Sequence, residues 1–347
     1  MSVPARPFEC ATGKYLALDL CMQDTPHIMT KLMSRINTHI FQLGETTFSL
    51  APLWDIFQNP RHAVEFEART KLRRSDLSAD KMNFHAAQRL FSLNVITALR
   101  QTQPPSRQLD ALLAYLLIGN YIMRSYLDPE LHPCARIRFI FCARFFLEAW
   151  LADLHKRKDF LKPSAMFITT ATYDCVMLNS DSLLLLTHWL CEYPELRSTV
   201  PYAPWVFTSL ACEWQFRAAR ADRHGNENFS VIEFFRHVHR SDALNILAAA
   251  HPEFKLSGAN RKHWQLDERC RTAQLLPADV NVNTLVESVR QALSDAKELL
   301  QPFGIPLEAP EPGAPDELAD VMLDGIVCDS PCSSIGSDVE DALLVRF

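Results

Sequence analysis

"CMQDTPHIMTKLMSR", residues 21 to 35, closes an apolar run on an aspartate and opens a helix directly after it. Upstream, Lys14 to Asp24 reads as a buried strand, because apolar residues occupy both phases and no helical stripe is visible. Thr25 offers an N-cap and Pro26 a first-turn residue. Ile28, Leu32 and Ile36 recur every four positions as a buried stripe, which leaves His27, Lys31 and Arg35 as a second stripe on another face. The local order is therefore strand, acidic residue, helix. Two readings of Asp24 follow: a helix-capping residue, or one carboxylate of a metal-binding set completed elsewhere in the chain.

The sequence after this junction is overwhelmingly helical in pattern. "TTFSLAPLWDIFQNP" is a short extended or mixed segment, and from Asn59-Pro60 to about residue 200 apolar residues recur at helical spacing. Leu112, Tyr115, Leu116, Ile118 and Ile122 make one long face; Ile137, Ile140, Phe141, Phe145, Leu147, Trp150 and Leu151 make another. A further helix is predicted through "PWVFTSLACEWQFRAARA", with Pro204 at its start. Phe207, Ala211, Trp214 and Ala218 form its buried side, and Glu213, Arg217 and Arg220 share another face. Glu213 is then either half of an exposed Glu-to-Arg pair worth roughly 0.3 kcal/mol, or a second site carboxylate. A last amphipathic helix starts at Thr284, where Thr284 and Glu287 match a capping box.

Composition narrows the class. With 347 residues, 48% of them hydrophobic, the chain can bury a sizeable core. No basic segment followed by an apolar one opens it, and its apolar runs are far shorter than the ~20 residues of a membrane span. Ten cysteines lie at irregular spacings with no CxxC pair, so they read as reduced core thiols. His188 with Cys191, or His237 with His239, would need a partner pair that the spacing does not supply to form a zinc site. Charge is asymmetric: residues 308–347 carry ten acidic side chains against Arg346 alone, leaving 34 basic against 31 acidic in the rest. That acidic, Pro-rich end is read as disordered, and the mildly positive body is compatible with nucleic acid.

Four blocks, in order, resemble the P-element-like transposases, a family that includes the THAP-domain transposases. They are "QDTPHIMTKLMSRI", "KMNFHAAQRLFSLNVITAL", "RIRFIFCARFFLEAW" with "FITTATYDCVMLNSDSLLLL", and "SLACEWQFRAAR" with "ENFSVIEFFRHVHR". The resemblance implies a mainly α chain with a small α/β part: a truncated RNase H-like core interrupted by a large all-helical insertion. The implied units are a partial core over 1–60, the insertion over 61–203, a returning core helix over 204–250, a helical segment over 251–305 and the acidic tail over 306–347. In such enzymes three carboxylates hold two divalent metals, Mg²⁺ or Mn²⁺, for in-line phosphoryl transfer to and from DNA. Asp24 and Glu213 match two of the three as catalytic and metal-binding residues. His27, Lys31, Arg35, Arg217 and Arg220 become DNA-contact candidates.

The family's first aspartate is expected on a strand meander upstream of Asp24, yet only thirteen residues precede Lys14. Asp19 lies five residues before Asp24 on the same strand, so it points to the opposite face. Where family members often read S-Q-P-C-E, this chain has Ser209-Leu210-Ala211-Cys212-Glu213. The expectation is a catalytically incomplete transposase derivative; the alternatives are an active nuclease completed by an N-terminal part, and a non-enzymatic DNA- or protein-binding scaffold. The resemblance further implies weak, non-specific DNA binding, association with itself or another transposase chain, nuclear localisation (cytoplasmic otherwise) and no membrane. It also implies GTP as an assembly cofactor, for which no phosphate-cradling glycine loop is visible.

Overall fold

A computed structural model gives the protein's structure over residues 22–78, 83–157, 163–207, 230–251 and 273–307. Over these residues the chain is mainly α-helical with one two-stranded antiparallel sheet, as the composition of its apolar faces leads one to expect. Helix α1 (Thr25–Thr38) runs into a hairpin of β1 (Phe41–Leu43) and β2 (Thr46–Phe48), with Phe41 opposite Phe48. Gly44 turns the hairpin at φ +59°, and a Cβ there would lie 2.2 Å from the carbonyl oxygen of Phe303, so both backbone and space require glycine. Next come α2 (Ala51–Gln58), α3 (Pro60–Thr70), α4 (Arg74–Leu77), α5 (Phe84–Leu90), α6 (Leu93–Thr102), α7 (Arg107–Leu127) and α8 (Pro133–Lys156). The described helices are completed by α9 (Thr170–Glu192), α10 (Pro194–Arg197), α11 (Val231–Ala250) and α12 (Val282–Leu300). The mixed segment at 46–60 is thus a strand followed by a helix, and Asn59 caps α3 by accepting from the Arg61 N–H at 3.1 Å.

Helices α7 and α8 form the centre. Both bury residues on most of their circumference, which is what an interior helix requires. α7, α9 and α12 pack on α8, and α1, α6 and β2 pack on α7. Trp150 of α8 is fully buried, with the rings of Phe41, Phe48, Tyr115, Phe146 and Phe167 at centroid distances between 4.7 and 6.4 Å. Its polar handle is satisfied by the Gln42 carbonyl, and the Tyr115 hydroxyl donates to the Leu32 carbonyl at 2.9 Å. Gly119 admits this packing: a Cβ there would meet Phe91 Cδ1 at 2.2 Å. One cluster of buried apolar residues extends from Met22 to Ile305, drawing on both sides of residue 60. Among the described residues no helix is long and apolar enough to cross a membrane.

Three element ends differ from expectation. Asp24, not Thr25, is the N-cap of α1, because the Ile28 N–H bonds the Asp24 carbonyl at 3.1 Å and thereby opens the ladder one residue earlier. The final helix starts at Val282: Asn281 Oδ1 accepts from the Thr284 N–H at 3.1 Å and the Thr284 hydroxyl accepts from the Asn281 N–H at 2.9 Å. The capping box is therefore Asn281 with Thr284 rather than Thr284 with Glu287. Pro204–Val206 is a single 3₁₀ turn that ends at Phe207 with ψ 68°, not the first turn of an α-helix. This turn packs on α8, where the Trp205 ring lies 5.2 Å from the buried Arg136 guanidinium. The rest of that predicted helix, with Glu213, Arg217 and Arg220, lies outside the described residues, as do residues 14–21 of the predicted strand and the segment 308–347.

Candidate functional site

Asp24 sits where the incoming chain meets α1, and the junction is held from α9. Asn179 of α9, fully buried, accepts from the Gln23 N–H at 2.7 Å and donates to the Gln23 carbonyl at 3.0 Å. A side-chain amide here does what a neighbouring strand would do for an extended residue. The Tyr126 hydroxyl of α7 in turn donates to the Asn179 carbonyl at 2.6 Å, so three elements determine the position of residue 23. Asp24 itself is half-buried, and its side chain makes no hydrogen bond to the first turn of α1. Backbone capping is its role in the helix; side-chain capping is not.

The second stripe of α1 runs antiparallel along the start of α9. Gln23 meets Asn179, Lys31 lies close enough to Cys175 to act on its ionisation, and Arg35 reaches the chain just before α9. Arg35 donates to the Phe167 carbonyl at 3.1 Å and contacts His39. Burial holds its guanidinium below the ordinary value, with Tyr115 opposing. Arg35 therefore tethers the 163–167 segment to α1 rather than presenting a free cation, whereas Lys31 is exposed and His27 half-buried. Burial also pushes the Cys175 thiol up to about 11, helped by Asp174 and opposed by Lys31, which leaves it a protonated, unreactive thiol.

Among the described residues no three His, Cys, Asp or Glu side chains are placed to hold a metal ion. Asp24 is the one member of the implied ligand set within them, and a lone carboxylate does not make a divalent-metal site. His188 and Cys191 both lie on α9, where Cys191 faces the Val280 carbonyl at 3.7 Å.

Two charged centres carry no signature in the sequence. Arg136 is 1% exposed, donates to the Ser125 carbonyl at 2.9 Å and to the Asp128 carbonyl, and lies over Trp205 and Tyr202. It thereby serves the orphan carbonyls at the end of α7. Arg144 bridges Glu148 at 3.0 Å and Asp181, joining α8 to α9; burial, against that arginine, keeps the Glu148 carboxyl above its ordinary value. Both arginines lie within one largely apolar helical stretch, "CARIRFIFCARFF", which does not distinguish them from surface cations.

Comparison with family models, curated proteins and solved structures finds no match to this chain.

Proposed function

We propose that the chain is a transposase-derived protein of the P-element type, with an RNase H-like remnant around Asp24 and a helical body that serves as a scaffold. The observation that carries this reading is the convergence of the resembling blocks. The first block is α1, the second contains α5 and α6, and the third comprises α8 and α9. α1 packs on α5 and α9, and the Gln23 to Asn179 pairing joins the first block to the third at the residue before the aspartate. The first and third blocks, more than a hundred residues apart in the chain, thus meet at the residue before Asp24, and most of the fourth, with Glu213, lies outside the described residues.

In that reading Asp24 and Glu213 supply two of the three carboxylates that two-metal phosphoryl transfer needs, so these 347 residues by themselves do not cleave DNA. Supercoiled plasmid incubated with the purified chain and Mg²⁺ or Mn²⁺ is expected to stay uncut. Mn²⁺-dependent nicking that disappears in Glu213→Ala would instead establish an active nuclease. The site assignment has its own check: an experimental structure should place the Asp24 and Glu213 carboxylates about 4 to 8 Å apart, the span of two bridged metal ions.

A further inference from the structure

The junction of α3, α4 and α6 concentrates positive charge that no ion pair among the described residues takes up. Between residues 68 and 107 the sequence carries eight basic side chains against two acidic ones. Arg69, Lys71, Arg73, Arg74 and Arg100 are all exposed. The Arg69 guanidinium donates to the Gln101 side chain, which sets the end of α3 beside the end of α6 and brings Arg100 into the same patch. The buried carboxylate of this region, Asp76, is already engaged by Arg89 at 2.6 and 2.8 Å. Among the described residues none of the five exposed cations forms an ion pair.

Helix electrostatics accounts for part of the cluster only. Arg69 and Arg100 lie in the last turns of α3 and α6, and Lys71 Nζ donates to the Ala68 carbonyl at 2.9 Å, all at helix C-termini that favour cations. Arg73 and Arg74 are the N-cap and first residue of α4, a single turn too short for a helix dipole to account for either cation. Nothing inside the described chain compensates them beyond Asp76.

We propose that this basic junction is the docking surface of the chain's own acidic C-terminal segment, residues 308–347. The charges are complementary: ten acidic side chains and one arginine meet a surface of five exposed cations that form no ion pair among the described residues. Forty residues with random-coil dimensions would span roughly 35 Å, and Leu307, which precedes them, packs on the same core as the junction helices. Tethering gives the segment an effective concentration on the order of millimolar at the surface, an advantage over any free polyanion of similar charge. The proposal does not depend on the transposase-derived reading, because it uses no catalytic residue.

Zero-length carbodiimide cross-linking of the full chain, read by mass spectrometry, tests it. At about 50 mM salt Lys71 is expected to couple to carboxylates within 308–341, with yield falling roughly fivefold at about 500 mM as screening shortens the Debye length. Arg73→Lys with Arg74→Lys keeps the charge and should add cross-links at both positions. Arg73→Glu with Arg74→Glu, both at exposed positions, should suppress the Lys71 cross-link by a similar factor while leaving the circular dichroism unchanged. Coupling of Lys71 only to carboxylates of the folded body, or coupling indifferent to salt and charge reversal, would overturn the proposal. So would cross-links confined to pairs of differently isotope-labelled chains, which would give the surface to a second copy. A DNA duplex that protects Lys71 while the segment's cross-links elsewhere persist would give it to nucleic acid.

Discussion

At the scale of single residues, stability rests on polar groups whose burial is matched by a defined partner. Asp76 shows the balance most clearly. Burial alone would raise its carboxyl, but the bidentate Arg89 contact and the Arg73 N–H at 2.9 Å overcome it and hold the group below its ordinary value. A carboxyl depressed in the folded state contributes stability that is present above its unfolded value and is lost as pH falls through the folded one. Arg89→Met strands a buried carboxylate, a loss of about 2 to 3 kcal/mol near neutral pH given that Arg89 is partly exposed. As pH falls into the acid range Asp76 takes up a proton and the difference from the parent chain should shrink. Urea midpoints of both proteins across that range measure it; a gap that does not change with pH would mean that only the packing of the Arg89 stem mattered.

At the scale of elements, the junction before α1 depends on a helix more than 150 residues away. Asn179→Ala leaves both backbone groups of Gln23 without their partner inside a site that is 8% exposed, a cost of about 2 to 4 kcal/mol. Amide exchange at Gln23 is expected to accelerate more than in the middle of α7, and exchange raised equally everywhere would show that Asn179 serves the core rather than this junction. Such a clamp leaves no pattern in the sequence, since an asparagine in "CVMLNSDSLLLL" looks like any polar residue on a helix. The helices α7 and α8 were legible because apolar residues recur at helical spacing over 21 and 24 residues, far beyond the length of a strand. The β1–β2 hairpin was not, because strands of three residues are too short to show alternation. The starts of α1 and α12 were readable to within a turn and then moved by particular bonds: the Asp24 carbonyl and the Asn281 side chain. At the candidate site the sequence brought out Asp24 and the α1 stripe, yet not that Arg35 is tied to Phe167. The basic junction was visible only as a charge excess between residues 68 and 107, diluted by the acidic end when net charge is taken over the whole chain.

At the scale of the whole molecule, the hydrophobic cluster from Met22 to Ile305 ties chain-distant parts to one centre. α12 lies along α8, where Arg138 grips Asp295 at 2.6 and 2.8 Å and Gln291 at 3.3 Å. Beyond α12 the chain returns to the first hairpin, since the Phe303 carbonyl occupies the space that a side chain at residue 44 would need. α1 packs on α5, α7 and α9, so the residues before 60 share contacts with those after it. Separate cooperative units need an interface that can open without exposing much apolar surface, and the described packing offers none between α1 and α7. Trp150, at the centre, contacts rings contributed by the hairpin, α7, α8 and the segment before α9. Its environment therefore reports on all of them together. The expected result is that the fluorescence of the chain's six tryptophans, Trp150 among them, and far-ultraviolet circular dichroism lose their native signals at the same urea concentration, with one slope. A first transition that removes helix while the buried tryptophan signal survives would show that α1 and the hairpin, or α12, unfold from α7 and α8 as an independent unit.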